Sequence, residues 1–196
     1  MPRTKEQNMA IRAEKKQLIM DVALKLFANK GFAATSINDI AQSANISQGL
    51  MYNYFSSKED VLRSIWDKLS NEFVQMIDPN QDGEVTCEEA EIFIDKTFDM
   101  IITRREEMKL YFQFSFQPDV IDVMKHKYDT AKAIERQQFV LKYFTDMLPI
   151  ADATNAYITV LTFVKGLSMT LTYNEMLFDV ETLEKYKKFI KSIFFK

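Results

Sequence analysis

The chain has 196 residues, of which 47% are hydrophobic, only 4 are Gly and 4 Pro, and its formal net charge is −3. That length and apolar content suffice for a core, while one Cys and one His exclude a disulfide framework and the usual zinc clusters. Residues 1–19 lack the apolar core of a signal peptide and no apolar run approaches a membrane span, so a cytoplasmic protein with no membrane partner is expected.

Few turn residues, with abundant Lys, Glu, Leu, Ile, Met and Phe, predict an all-α fold. Ile19, Val22, Ala23, Leu26 and Phe27 recur at helical spacing, while Arg12, Lys15, Lys16 and Lys25 fall largely elsewhere. Gly31 stops this first helix. Thr35 or Ser36 can cap a short second helix with Asp39 in its first turn and Ile37, Ile40 and Ala41 on its buried side. Asn45 suits a left-handed turn, and Ser47 caps a third helix over SQGLMYNYF, with Met51 and Phe55 pointing inward. Two short helices joined by a tight turn after a longer one make a helix-turn-helix. The charge supports this weakly. Residues 1–63 hold nine Lys/Arg against six Asp/Glu, a balance of +3 that leaves −6 for the remainder.

The run GFAATSINDIAQSANISQGLMYNYFSSKEDVL resembles the amino-terminal domain of TetR-type transcriptional regulators. The resemblance rests on Gly31-Phe32, Thr35-Ser36, Ile40-Ala41, Ile46-Ser47, Gly49, Tyr52, Tyr54-Phe55 and Lys58-Glu59, and is dense over residues 15–63. Two departures are Asn45 where the family usually has Gly, and Tyr54 where His is common. The resemblance implies a DNA-binding domain over residues 1–57 and a helical regulatory and dimerising domain over 58–196. In the latter, a small apolar ligand changes the spacing of two reading heads in a homodimer, and the last two long helices pair across a twofold axis.

In such a domain the second helix of the motif enters the major groove. Gln48 can make paired hydrogen bonds to adenine, and Asn53 can do likewise or bind phosphate. Gly49 lets the backbone approach the phosphates. Tyr52 and Tyr54 are candidates for phosphate or thymine-methyl contacts, and Lys58 for a phosphate. Thr35 and Ser36 can meet phosphate at a helix start. Two blander readings stay open, Tyr52 as half core and Ser47 as a cap alone.

Further helices are expected from Lys58 to about Ile77, Ala90 to about Ile102, Arg104 to Gln117 with Pro118 breaking it, one or two over 119–148, Ala153 to about Met176, and Glu181 to Phe195. Gly166 either permits a close helix approach or is merely tolerated. The aromatic run MKLYFQFSFQ suggests a buried helix, and Phe98, Met100, Phe112, Phe116, Met124 and Phe163 are candidates for an apolar ligand pocket, although a Phe/Met stripe is more often plain core.

Between the fourth and fifth helices, DPNQDGEVTCEE fits the calcium-loop template D-x-[DN]-x-[DN]-G-x₅-E. Asp78, Asn80 and Asp82 supply hard oxygens, Gly83 the sharp turn, Glu84 a backbone carbonyl, Thr86 a hydroxyl or bound water, and Glu89 two closing oxygens. The competing reading is an acidic helix start. A calcium ion here is expected to fix the angle between the flanking helices.

The sequence therefore points to a homodimeric regulator of double-stranded DNA, a repressor released by a small apolar ligand and modulated by calcium. The alternative is a calcium-binding adaptor that docks a partner helix through its Met-rich surface. No Gly-rich phosphate loop or G-x-S-x-G elbow appears, so an enzyme is not expected.

Overall fold

A computed structural model describes residues 4–82, 86–127, 162, 165–167, 169–174 and 179–194. Among these residues there is no strand. The helices are α1 (Lys5–Asn29), α2 (Ile37–Ser43), α3 (Gln48–Met51), α4 (Lys58–Ile77), α5 (Cys87–Thr103), α6 (Arg105–Ser115), α7 (Pro118–Lys127) and α8 (Val180–Phe194), with further helical residues between 162 and 173. No described helix is long and apolar enough to cross a membrane.

Local chemistry sets most boundaries. Thr4 caps α1 in a reciprocal box with Gln7, starting the helix well before its apolar stripe. Gly31 ends it at φ +93°, a conformation that suits glycine. Asn45 takes φ +54° between α2 and α3, as its residue type predicts. The third helix is shorter than expected, because only Gln48–Met51 is α-helical and residues 52–54 continue as turns. Two other starts also differ. Helix α5 starts at Cys87 with Thr86 as its cap, three residues earlier than the apolar pattern suggests, and Pro118 opens α7 in the first turn, where its missing N–H costs no helix bond.

The chain divides into two units. The first comprises Met1–Leu69 and Leu110–Tyr128, so the helix-turn-helix shares a unit with the first part of α4, most of α6, and α7. Within it, α1 packs on α2 and α2 on α3. Ile19, Phe27, Ile40, Met51, Phe55, Leu62, Ile65 and Phe114 are fully buried there. Phe27 meets Phe32 edge-on at 5.0 Å, and Trp66 meets Phe114 at 6.1 Å. Each such side chain contributes about 1.5–3 kcal/mol by leaving water.

The second unit comprises Ser70–Lys109 and Asp129–Lys196. Its described core joins Phe98, Ile101, Leu167, Leu171 and Leu183. Polar clasps surround that core. Arg104, at the end of α5, holds Glu72 and Glu107 at 2.7 Å each, and those carboxylates raise its already high pKa. On α8, Lys191 reaches Asp95 of α5 at 2.7 Å.

Candidate nucleic-acid interface

The turn between α1 and α2 is built by side chains that the sequence reading assigned to DNA. Thr35 is 1% exposed, and its hydroxyl donates to Gly31 O at 2.7 Å. Ser36, not Thr35, caps α2. Its Oγ accepts from Asp39 N at 3.1 Å, while its own N–H donates to Asp39 Oδ2 at 2.8 Å. Lys30 also donates to Asp39 Oδ2 at 2.8 Å. The Lys30 ammonium, then the Ser36 backbone and hydroxyl, hold the Asp39 carboxyl well below the usual carboxylate range.

Lys58 is committed differently from the expectation. Its Nζ donates to Phe32 O at 2.8 Å, Thr35 O at 2.9 Å and Ala33 O at 3.1 Å, and lies 4.5 Å from the Phe32 ring centre. An ammonium has three donors. All three are spent on the turn, so in this arrangement Lys58 braces backbone and has no N–H left for a phosphate.

Gln117 closes the same turn. Its Oε1 accepts from Phe32 N at 2.8 Å, and its Nε2 donates to Phe27 O at 2.7 Å. Sequence reasoning placed this residue at a helix end and saw no role for it. The only local signal is its position before Pro118.

The base-facing candidates lie on the next element. Ser47 caps α3 by accepting from Leu50 N at 3.1 Å. Gln48, Gly49, Leu50, Tyr52 and Asn53 are exposed, while Met51 and Phe55 are 0% and 1% exposed and anchor the segment from beneath. Tyr52 is 52% exposed, so it is not a core residue. A Cβ added at Gly49 meets nothing within 4 Å, so the protein's own packing does not demand glycine there. Tyr54 is half-buried, with the Arg12 guanidinium 5.1 Å from its ring centre. The result is a one-turn helix with its polar face outward on a buried apolar anchor.

The 78–89 loop forms from two local devices. Asp82 N donates to Asn80 Oδ1 at 3.0 Å and Asn80 Nδ2 to Asp82 Oδ2 at 2.9 Å, with Gln81 between them at φ +59°. Thr86 N and Oγ1 both donate to Glu89 Oε2 at 2.9 Å, and Glu89 N donates back to Thr86 Oγ1 at 3.2 Å. Asp78 is buried at the end of α4. Gly83, Glu84 and Val85 lie outside the described residues. Among the described residues no three His, Cys, Asp or Glu side chains gather as a metal site. In this arrangement the Thr86–Glu89 spacing serves as a capping box.

The expected pocket residues fall in both units. Phe98 is closed into the second unit's core, and Met100 is buried in that unit. Phe112 and Met124 are half-buried in the first unit and Phe116 is 58% exposed, while Phe163 lies outside the described residues. The second unit contains a cavity of about 430 Å³ whose lining includes Gly166, Leu167, Thr170, Leu171, Leu183 and Tyr186. Among the described residues, none of Phe98, Met100, Phe112, Phe116 and Met124 is in that lining.

Comparison with known proteins bears on this geometry. Residues 19–65 match the family model described as bacterial regulatory proteins, tetR family. The biofilm operon icaADBC negative transcriptional regulator IcaR of Staphylococcus epidermidis is 30% identical over 108 residues, 55% of this chain and 57% of that protein. The transcriptional repressor KstR2 of Rhodococcus jostii is 35% identical over 74 residues, 36% of each. The matched stretches cover between 18% and 57% of the lengths of the curated relatives. The fatty acid degradation regulator FadR from Bacillus halodurans shares the fold, with TM-score 0.64 over 92% of this chain and 94% of that one at 18% identity. The described helices, the match over the helix-turn-helix and the fold likeness agree. Residues 19–65 thus carry the helix-turn-helix pattern of the tetR family of bacterial regulatory proteins, and the fold of the chain is similar to that of solved regulators.

Proposed function

We propose that the chain is a homodimeric, sequence-specific DNA-binding repressor, released from double-stranded DNA by a small apolar ligand. The observation that carries the DNA reading is the α3 segment, where exposed Gln48, Gly49, Tyr52 and Asn53 stand on buried Met51 and Phe55. A polar one-turn helix on a fixed anchor is what reading base edges in a major groove requires. The relatives named as a negative regulator and a repressor support the sign of the effect.

The dimer reading is supported by Gly166, where an added Cβ meets nothing within 4 Å, together with Met169 and Tyr173, 46% and 43% exposed. These three positions lie three and four residues apart on helical residues, a small-and-apolar stripe suited to a partner helix. The apolar ligand is supported by the lining of the 430 Å³ cavity in the second unit. The fold likeness to a fatty acid degradation regulator makes acyl chains the first compounds to try. Calcium at Asp78, Asn80, Asp82, Glu84, Thr86 and Glu89 is part of the proposal as a modulator, carried by the order of side chains, and it requires Glu89 to leave its cap. The adaptor reading is not favoured, because the family match covers the DNA-reading segment itself.

The test begins with selection of a duplex from a random-sequence pool by the full chain. Binding of that duplex is then compared with a scrambled one for wild type, Gln48→Ala and Asn53→Ala. Each variant is expected to lose about 1–3 kcal/mol of discrimination at one or two base positions. Failure of the wild-type chain to enrich any duplex would remove the proposal.

A further inference from the structure

The base-facing segment ends abruptly. After one helical turn it continues as turns, with Asn53 N donating to Leu50 O and both Tyr54 N and Phe55 N to Met51 O, and so short an element depends on an outside hold to keep its aim. That hold comes from α1. Arg12 Nη2 donates to Asn53 O at 2.7 Å across 41 positions of sequence, while the same guanidinium lies 5.1 Å from the centre of the Tyr54 ring. One turn further along α1, Lys16 Nζ lies 5.2 Å from the Phe55 ring centre. Two cations spaced i, i+4 on one helix therefore sit over two consecutive aromatic rings that terminate the reading segment.

We propose that Arg12 is a positioning residue for DNA reading. It ties the end of the 48–53 segment to α1 and so fixes where Gln48 and Asn53 meet base edges, without itself contacting DNA. The proposal rests on the DNA-binding reading above. Arginine suits the role because its planar fork can donate in-plane to a carbonyl while a face stacks on a ring, which an ammonium cannot do at once.

The experiment uses the full chain and a duplex that the wild type selects from a random-sequence pool, with a scrambled duplex beside it. Affinities for both are measured by fluorescence anisotropy over a series of salt concentrations, for wild type, Arg12→Lys, Arg12→Gln and the control Lys25→Gln, with thermal unfolding followed in parallel. Arg12→Lys keeps the charge and is expected to lose about tenfold in affinity for the selected duplex, with much less change on the scrambled one. The slope of log affinity against log salt should stay that of wild type, and Lys25→Gln should keep wild-type discrimination. Arg12→Gln should lose discrimination at least as far. Undiminished discrimination in Arg12→Lys and Arg12→Gln overturns the proposal. So does a loss in Arg12→Gln that is equal on both duplexes and lowers the salt slope by about one, the mark of a phosphate contact. A wild-type chain that selects no duplex refutes instead the DNA reading beneath it.

Discussion

Gln117 Oε1 accepts the backbone N–H of Phe32 at 2.8 Å, joining the end of α6 to the turn that leads into the helix-turn-helix, 85 residues earlier. The same amide donates to Phe27 O at 2.7 Å. One planar side chain thus satisfies an acceptor in the last turn of α1 and a donor just past Gly31. The carbonyl is a helix-end group that α1 cannot satisfy by itself.

Gln117→Leu removes both bonds while keeping the bulk, and leaves Phe32 N–H and Phe27 O unpaired in a part-buried site. The expected cost is about 1–3 kcal/mol of stability, with loss of hydrogen-exchange protection at Phe32. Gln117→Glu keeps an acceptor for Phe32 but sets a carboxylate against the Phe27 carbonyl, so it should cost stability at neutral pH. Urea midpoints for the two variants check the pair. A midpoint unchanged in both would mean that solvent satisfies the turn equally well.

Lys58 gives a second, sharper case, because two roles make opposite forecasts. Its ammonium grips Phe32 O, Ala33 O and Thr35 O. Lys58→Met should therefore destabilise the chain by about 2 kcal/mol through lost charge-assisted bonds. The salt slope of DNA binding should stay at the wild-type value. A slope lowered by about one, with stability untouched, would restore Lys58 to the phosphate-contacting role that its sequence position suggests.

Much of this was legible in the sequence, and the limits have physical causes. The order of the described helices, the Asn45 turn and the inward Met51 and Phe55 follow from periodicity and from left-handed backbone preference. Those are local properties that twenty residues of chain can declare. The end of α3 at Met51 is not legible in the sequence, because Tyr52, Asn53 and Tyr54 carry no strong helix-stopping signal. Arg12 and Gln117 were invisible as site residues because their partners are backbone groups 41 and 85–90 positions away. Any residue can offer a carbonyl, so no pattern of side chains marks the recipient. The Lys58 bonds to Phe32 O, Ala33 O and Thr35 O leave no mark in the sequence for the same reason.

Asp39 carries a pH signature. Its carboxyl sits well below the usual 3.8 because it accepts from Lys30 and from the Ser36 backbone and hydroxyl. A carboxyl with a depressed folded pKa stabilises the fold above its unfolded pKa, and that contribution fades as pH falls from there toward the folded value. Between about pH 4 and pH 2, wild type should therefore lose stability more steeply than Asp39→Asn, whose side chain cannot titrate. Urea midpoints across that range test it, at low salt, since the carboxyl is exposed and screened by added ions. Parallel curves for the two proteins would show that Asp39 adds nothing to the acid limb.

Glu89 allows the capping and calcium readings of the 78–89 loop to be separated by a single substitution. In the described arrangement its Oε2 accepts from Thr86 N and Oγ1. Glutamine at this position of a capping box can accept the same bonds, so Glu89→Gln should keep the start of α5 and the helical signal of the chain. A calcium loop, by contrast, needs two anionic oxygens from this residue to close around the ion. The calcium proposal therefore predicts saturable binding of one ion per chain to chelator-stripped wild type, preferring calcium over magnesium and abolished in Glu89→Gln, while circular dichroism stays unchanged. Titration calorimetry on both proteins reads the first effect directly. Silence in wild type up to millimolar calcium would leave the capping box as the whole reason for Thr86 and Glu89. Binding that survives in Glu89→Gln would mean that the ion is held by other groups and that the template match is incidental.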